Sequence, residues 1–209
     1  RNTQFLAANA PPGGGRSEVT PRLMRHFHLI NLPDLSNESM KSIFLSIMTG
    51  FLQDFPSEYA GIGEPVVEGT LDVYVEIQKA LLPTPSKSHY TFNLRDLAKV
   101  IQGILMVDPA NIENVDQFLR LWSHECSRVF RDRLISDEDK HWYDEKILAV
   151  IETSFKKNWT KDEISDVCFG DFLATKPAPY VEIKDMEKAN SVLKDFAEDY
   201  TLNLNKPMD

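Results

Sequence analysis

The feature that most constrains the fold is a series of five apolar segments with helical spacing between residues 34 and 158. In each segment apolar residues recur every three or four positions, which is the repeat of one helix face. Pro33 and a capping Ser36 predict a sharp start for the first helix, which runs to about Phe55. The other predicted helices cover residues 64–82, 94–107, 112–134 and 136–158. Because the connections are short, the sequence predicts a helical bundle.

The segments on either side of the bundle differ from it in character. The opening "RNTQFLAANA" is predicted to be a strand, and the alternation within residues 22–32 predicts a second, short buried strand. In the tail, "YVEI" at 180–183 reads as a strand and residues 185–200 as a last helix. Both ends look as if they continue into a longer protein. The predicted parts are an α/β remnant at 1–33, the bundle at 34–158 and a connector at 159–209.

Length, charge and cysteine content exclude several classes of protein. The 209 residues can bury a sizeable core in one large domain or two small ones. A net charge of −9 does not suit a nucleic-acid-binding surface, which needs clustered Lys and Arg. Apolar runs such as "VIQGILMV" are far shorter than the roughly 20 residues of a membrane span, and the start does not resemble a signal peptide. The two cysteines predict a reducing compartment.

Several long motifs resemble a known family. They are "PPGGGR" followed by "VTPRLMRHFHLI", then "LLPTPSKSHYTFNLRDLAKVIQGILM", "LWSHECSRVFRDRLISDEDKHWY" and the tail "YVEIKDMEKANSVLKDFAEDYTLNLNKPMD". Together they resemble the third AAA+ module of axonemal dynein heavy chains and the approach to the fourth, over essentially the whole chain. The resemblance implies a mainly α fold. An AAA+ helical lid bundle would follow the last strands of an incomplete α/β core and precede a mixed connector.

The resemblance also implies a part in an ATP-driven microtubule motor. The whole heavy chain would bind ATP or ADP with Mg²⁺ and hydrolyse ATP, with the third module as a regulatory site. Its partners would be neighbouring AAA+ modules, dynein intermediate and light chains and the microtubule, with no nucleic acid or membrane. It would lie in the cytoplasm and cytoskeleton, in the axoneme of a cilium or flagellum. The 209 residues contain no GxxxxGK[ST] phosphate loop, so this segment alone is expected to be inactive and without a cofactor.

By the same resemblance, Arg95 in "NLRDL" takes the place of a sensor-II arginine at the start of a lid helix. One guanidinium can form paired hydrogen bonds with phosphate oxygens, which would link the lid orientation to the nucleotide. From the residues alone, the alternative is an arginine at a helix start that pairs with Asp96 or faces solvent.

Three further residues are candidates for catalysis. Arg25, directly before the second predicted strand, is the favoured arginine finger, and Arg22 is the second choice. Such a finger would act in trans on the ATP site of the second module, where it can accelerate hydrolysis by roughly 10³–10⁵-fold. The alternative is a salt bridge to a local carboxylate. Asn9 is the sensor-I candidate, and its alternative is an asparagine that closes a strand into a turn.

The remaining motifs favour structural roles. Gly13–Gly15 suggests a phosphate loop, but such loops place a helix directly after the glycines, so a surface hairpin is the preferred interpretation. His26 and His28 could share a strand face, and no third metal ligand is evident. His124 and Cys126 lie two positions apart on a predicted helix and should point in different directions. No metal site is therefore predicted.

A function from a different class is a freestanding helical interaction scaffold with no nucleotide role. It would explain the five-helix bundle equally well. It would leave unexplained why a strand, a glycine turn, a second strand and a lid-like bundle follow one another in AAA+ order. Another AAA+ lid, such as that of a clamp loader, would use its arginines similarly but lacks the "PTPSKSHYTFNLRDL" sequence.

Overall fold

A computed structural model gives the fold, and the backbone forms two compact units, Arg1–Leu35 and Ser36–Asp209. Each unit is described by itself. The residues that the structure describes are 3–9, 18–33, 35–165, 167–173 and 178–204.

The first unit contains one short helix, α1 (Pro21–Met24), among its described residues. Pro21 suits the first helical position, where its missing N–H is not needed. Both predicted strands are wrong for the described residues, because residues 3–9 and 27–33 are irregular and Phe5 and Ile30 are exposed. A strand needs a neighbour to pair with its backbone N–H and C=O groups, and none of the described residues pairs with these segments. The apolar alternation was therefore not sufficient to form a strand.

The five predicted helices of the bundle are confirmed in the second unit. They are α2 (Asn37–Leu52), α3 (Gly63–Ala80), α4 (Leu94–Ile104), α5 (Val115–Val129) and α6 (Asp137–Phe155). The proline-containing stretch 83–93 is not helical, as predicted. After α5 the chain tightens into a 3₁₀ turn at Arg131–Arg133, so the regular helix ends earlier than its apolar pattern.

Short polar side chains explain where the helices begin. Ser36 caps α2 by accepting the Ser39 N–H at 3.2 Å, as the sequence predicted for this residue. Asn114 caps α5 by accepting the Gln117 N–H at 2.8 Å. These caps satisfy N–H groups that have no partner within the helix.

The core lies between the helices α2 to α6, and α2 contributes Met40, Phe44, Met48 and Leu52 to it. Its largest fully buried side chain is Trp122 of α5, whose indole N–H donates to the hydroxyl of Thr70 on α3 at 2.8 Å. Gly69 lets this contact form, since an added Cβ would lie 3.3 Å from the Trp122 ring and 3.0 Å from Val150. Other core side chains with less than 2% exposure include Met48, Tyr59, Ile77, Tyr90, Leu97, Ile104, Phe118, Leu119, Leu121, Phe130, Tyr143, Ile147 and Ile151.

The tail packs as part of the same unit. It contains α7 (Lys161–Ser165), β1 (Phe169–Gly170), β2 (Val181–Glu182) and α8 (Met186–Leu204). The strands pair antiparallel, so the strand predicted in "YVEI" is confirmed, whereas α7 and β1 were not predicted. The mainly α fold class is confirmed, and the part boundaries at 33/34 and 158/159 stay a prediction. None of the helices within the described ranges has the length and apolar character to cross a membrane.

Candidate functional site

The loop before α4 is fixed to the connection between α5 and α6. Pro83 and Pro85 prevent a helix there, and the buried Tyr90 anchors the loop instead. The Tyr90 hydroxyl donates to Asp139 at 2.7 Å and accepts the Ile135 N–H at 3.0 Å. Burial and the hydrogen bond to Asp139 raise the pKa of Tyr90. The loop is therefore held in one conformation at its buried tyrosine.

Asp139 joins two side chains of this loop to α6. It accepts from Tyr90 and also pairs with the ammonium group of Lys87. Burial alone would raise the pKa of Asp139, but hydrogen bonds from Lys87, Ser136 and Tyr90 lower it below its ordinary value. The carboxylate is thus ionised at neutral pH and holds the loop through charge-assisted bonds.

Arg133, in the 3₁₀ turn after α5, makes the most contacts with the end of the loop. Its Nη2 donates to the carbonyl oxygens of His89 at 3.1 Å and Thr91 at 3.2 Å. Its Nη1 lies 3.0 Å from Oδ2 of Asp96, and its guanidinium carbon lies 4.8 Å from the centre of the Phe92 ring. In return, the His89 ring nitrogen Nε2 lies 3.0 Å from the carbonyl oxygen of Arg133.

A capping box forms the start of α4. Asn93 accepts the Arg95 N–H at 2.9 Å, and Asp96 accepts the Asn93 N–H at 3.1 Å. Both carboxylate oxygens of Asp96 face a cation, since Lys99 lies 3.6 Å from Oδ1 and Arg133 lies 3.0 Å from Oδ2. The reciprocal caps fix the first turn of the helix.

Arg95 lies in this first turn, and its side chain is exposed. No hydrogen bond or ion pair joins its guanidinium to any part of the chain that the structure describes. Of the alternative proposed from the residues alone, the pairing with Asp96 is wrong, because other groups occupy that carboxylate. The exposed side chain agrees with its other part, an arginine that faces solvent. Arg95 lines neither of two described surface cavities, one of about 460 Å³ beside Trp159 and one of about 230 Å³ beside His124.

A buried carboxylate connects α4, α5 and the tail. Glu125 of α5 is fully buried, and its Oε2 accepts from Arg128 at 3.0 and 2.7 Å. Its Oε1 accepts from the Tyr180 hydroxyl. The carboxylate lies against Gly103 of α4, where an added Cβ would be 1.9 Å from Oε2. The pKa of Tyr180 is raised by burial and by its hydrogen bond to Glu125.

A second carboxylate attaches β2 to α5. Glu182 accepts from Arg120 at 2.7 and 3.0 Å and from Gln117 at 3.0 Å. Burial would raise the pKa of Glu182, but the hydrogen bonds and charge of Arg120 lower it below its ordinary value. Together, Glu125 and Glu182 hold residues 180–182 against the bundle that carries Arg95.

The candidate catalytic residues in the first unit lie in different secondary structure from that predicted. Arg22 lies in α1, and Arg25 follows it as the C-terminal cap, so Arg25 does not precede a strand. Both are exposed, and Nε of Arg25 donates to the His26 ring at 3.2 Å. Within the described ranges neither forms a salt bridge. Asn9 is exposed in irregular backbone, so it does not close a strand.

The histidine and cysteine candidates take structural positions. His124 Nδ1 lies 3.1 Å from the Val167 carbonyl oxygen, and burial lowers the pKa of this histidine. Cys126 is fully buried, burial raises its pKa, and it contacts Thr70, so the two side chains point in different directions as predicted. No group of three His, Cys, Asp or Glu residues that could hold a metal occurs within the described ranges. Gly13–Gly15 lies outside the described residues.

Arg133 and Glu125 were not among the residues predicted from the sequence. Arg133 had no local signal, because its partners lie far from it in sequence. Glu125 had an indirect signal in Gly103, since a glycine inside an otherwise apolar helix often marks a close approach.

Comparison with known proteins places this bundle in a defined class. Residues 47–140 match the family described as dynein heavy chain, ATPase lid domain. Residues 1–35 match the family described as the P-loop containing dynein motor region. The matched residues 47–140, which include α3, α4, α5 and the loop before Arg95, belong to an ATPase lid domain of the dynein heavy chain class.

Three relatives indicate which type of dynein heavy chain this segment resembles. The chain is 43% identical to human dynein axonemal heavy chain 6 over 97% of its own length and 5% of the relative. It is 42% identical to human dynein axonemal heavy chain 1, over 94% of this chain and 5% of that one. It is 40% identical to mouse dynein axonemal heavy chain 12, over 94% of this chain and 7% of that one. The chain is a segment of the axonemal dynein heavy chain type, and it spans less than a tenth of these relatives.

Proposed function

We propose that this chain is the C-terminal part of the third AAA+ module of an axonemal dynein heavy chain, followed by the lead-in to the fourth module. The observation that carries the proposal is that the lid-domain match covers residues 47–140 and includes the exposed Arg95 at the start of α4. The match of residues 1–35 to the motor region supports an AAA+ module before the lid. The choice of the third module rests on the sequence motifs quoted above.

In this proposal Arg95 is the sensor-II residue of the lid. Three observations support the role: its side chain is exposed, no described residue pairs with it, and Asp96 is occupied by other cations. A free guanidinium on a capped helix suits the oxygens of a triphosphate, which accept paired hydrogen bonds. ATP, when bound in the parent chain with Mg²⁺, would supply the phosphoryl group that is transferred to water. Arg95 would hold phosphate oxygens and thereby link the lid to the nucleotide.

Arg25, with Arg22 as second choice, is proposed as the arginine finger that acts on the site of the second module. Its exposure and the absence of a salt bridge within the described ranges leave its terminal nitrogens available for a phosphate. Asn9 is proposed as the sensor-I residue that orients the attacking water. Its exposure in irregular backbone supports this role less directly.

The activity of the whole heavy chain is part of the same proposal. It would hydrolyse ATP and move along microtubules in the axoneme of a cilium or flagellum, as part of the cytoskeleton. Its partners would be the neighbouring AAA+ modules, the dynein intermediate and light chains and the microtubule. The 209-residue segment alone would not hydrolyse ATP, because it contains no GxxxxGK[ST] sequence.

The sensor-II role is tested by Arg95→Ala in the full-length heavy chain that contains this segment. Titration with a fluorescent ATP analogue resolves the affinities of the nucleotide sites. Hydrogen bonds to a charged group contribute about 1.5–3 kcal/mol, so one site should bind roughly tenfold or more weakly. The other sites should keep their affinity.

Lys194→Ala is the matched control, since Lys194 is also exposed on a helix and has no ion pair within the described ranges. It should leave every affinity unchanged. If Arg95→Ala also leaves all sites unchanged, Arg95 does not contact nucleotide and the proposed role is wrong.

A further inference from the structure

We propose that Arg133 is a positioning residue for Arg95. It fixes the end of the 83–93 loop and the first turn of α4, so that the Arg95 guanidinium faces the nucleotide rather than the protein. This inference rests on the proposed sensor-II role of Arg95.

Arg133 connects separate parts of the lid at one point. Its Nη2 bonds the carbonyl oxygens of His89 and Thr91, and its Nη1 pairs with Asp96 of α4. Its planar face lies on the Phe92 ring. These groups flank Asn93, the residue that caps α4. The direction in which Arg95 leaves the helix is therefore determined together with the loop.

The charge of Asp96 also depends on Arg133. This side chain is only 6% exposed, and its Oδ2 is shared between the Asn93 N–H and Arg133. Without Arg133, its remaining cation would be the exposed Lys99, 3.6 Å from Oδ1. A buried carboxylate that loses its closest cation is destabilised and takes another partner where one can reach it. Residues one apart do not face each other in a regular helix, but loss of the loop contacts would loosen this first turn. Asp96 could then pair with Arg95 and withdraw it from the nucleotide.

The contacts of Arg133 require an arginine. The guanidinium offers donors in a rigid fork and a flat face for an aromatic ring, and here it uses both. A lysine could keep the charge next to Asp96 but could not also bond two carbonyl groups and stack on Phe92. Arg133→Lys should therefore retain only part of the function.

The test is a double-mutant cycle in the full-length heavy chain, read out as the affinity for the fluorescent ATP analogue at the site that Arg95→Ala weakens. Arg133→Ala should weaken the same site by several-fold to tenfold, although Arg133 does not touch the nucleotide. In an Arg95→Ala background, Arg133→Ala should cause little further loss, because its effect acts through Arg95. Arg133→Lys should give an intermediate loss with the same dependence on Arg95.

Arg131→Ala is the matched control. Arg131 lies in the same 3₁₀ turn and pairs with a buried carboxylate, Asp144, at 2.6 Å, but it does not contact the loop. Its effect on affinity should be the same with and without Arg95. Circular dichroism of the 209-residue variants identifies any that fail to fold, and Arg133→Lys then takes the place of Arg133→Ala.

The two proposals can fail separately. If Arg95→Ala has no effect on any site, the sensor-II role fails. If Arg95→Ala weakens one site while Arg133→Ala has no effect, or an equal effect in both backgrounds, the positioning role of Arg133 is wrong and the sensor-II role stands.

Discussion

At the residue scale, the closest fit in the bundle is that of Gly103 against Glu125. A Cβ atom at position 103 would lie 1.9 Å from Oε2 and 2.2 Å from Cδ of the Glu125 side chain. The carboxylate cannot simply turn away, because Arg128 and Tyr180 hold its two oxygens. Glycine at this position is therefore a condition for burying Glu125 between α4 and α5.

We expect Gly103→Ala to lower the free energy of unfolding by about 2 kcal/mol or more, because overpacking adds to the displacement of a paired, buried charge. Gly50→Ala is the control, since Gly50 also lies in a helix and has no atom within 4 Å of the added Cβ. It should stabilise the protein by roughly 0.5–1 kcal/mol through its higher helix propensity. Urea unfolding measures the free energy of unfolding of both variants. Equal effects of the two substitutions would contradict the close approach of Glu125.

The sequence identified Arg95 through its resemblance to the lid of dynein heavy chains and through the predicted start of a helix at residue 94. The structure confirms that helix start, which the capping box of Asn93 and Asp96 forms. Arg133 could not be found in this way, because its partners His89, Thr91 and Asp96 meet it only in the folded bundle. Helix caps depend on neighbours within four residues, whereas the loop anchor depends on tertiary packing.

At the element scale, α6 ends at a residue with an unusual backbone. Lys156 has φ of 55°, the left-handed conformation, and its N–H bonds to the Glu152 carbonyl. A residue with a Cβ pays about 1–2 kcal/mol for this conformation, which glycine adopts without that cost. The helix end therefore carries strain.

We expect Lys156→Gly to raise the free energy of unfolding by about 0.5–1 kcal/mol, since the relief of strain exceeds the entropy that glycine adds to the unfolded chain. Lys156→Ala keeps the Cβ and removes the charge, so it should change stability little. Thermal unfolding of the two variants separates the causes. A stabilisation of equal size in both would assign the effect to the lysine side chain instead of the backbone.

The elements also show what a periodic pattern can predict. The helices α2 to α6 were found from their three-four spacing because a helix satisfies its own backbone hydrogen bonds. The strands predicted in residues 1–10 and within residues 22–32 were wrong for the described residues, because a strand depends on pairing that no local pattern encodes. Where the pairing exists, as between β1 and β2, two residues on each strand were sufficient. The short 3₁₀ turns at Ser57–Tyr59, Pro109–Asn111 and Arg131–Arg133 carried no periodic signal at all.

At the scale of the whole molecule, stability depends on carboxylates that join distant elements. Glu182 joins the tail to α5, and Asp144 joins α6 to Arg131 and Lys161. Burial would raise the pKa of each, but the hydrogen bonds from their cations lower it below the ordinary value. A carboxylate with a lowered pKa stabilises the fold above its unfolded pKa, and that contribution is lost as the pH falls through the folded pKa.

The lowered pKa of Glu182 predicts how the stability of the Glu182→Gln variant depends on pH. Glu182→Gln removes the charge that holds Arg120, so it should be less stable than the parent sequence at pH 7. As the pH falls below the ordinary glutamate pKa of 4.5, the unfolded chain takes up the proton first, and Glu182 in the folded protein is protonated as the pH falls further through its lowered pKa. The parent sequence therefore loses the same interaction progressively in acid. The difference in urea midpoint between the two proteins should therefore shrink as the pH falls from 5 toward about 3.

Glu198→Gln is the matched control, because Glu198 is exposed on α8 and has no ion pair within the described ranges. Its midpoint should differ little from that of the parent sequence at either pH. If the deficit of Glu182→Gln instead stays constant down to pH 3, the amide disturbs packing in β2 and the salt bridge to Arg120 does not stabilise the tail. If instead the two urea midpoints converge as the pH falls, the ionised Glu182 side chain holds the tail to the lid. Protonation of Glu182 in this pH range removes the charge that the glutamine variant also lacks, so the two proteins then become equally stable.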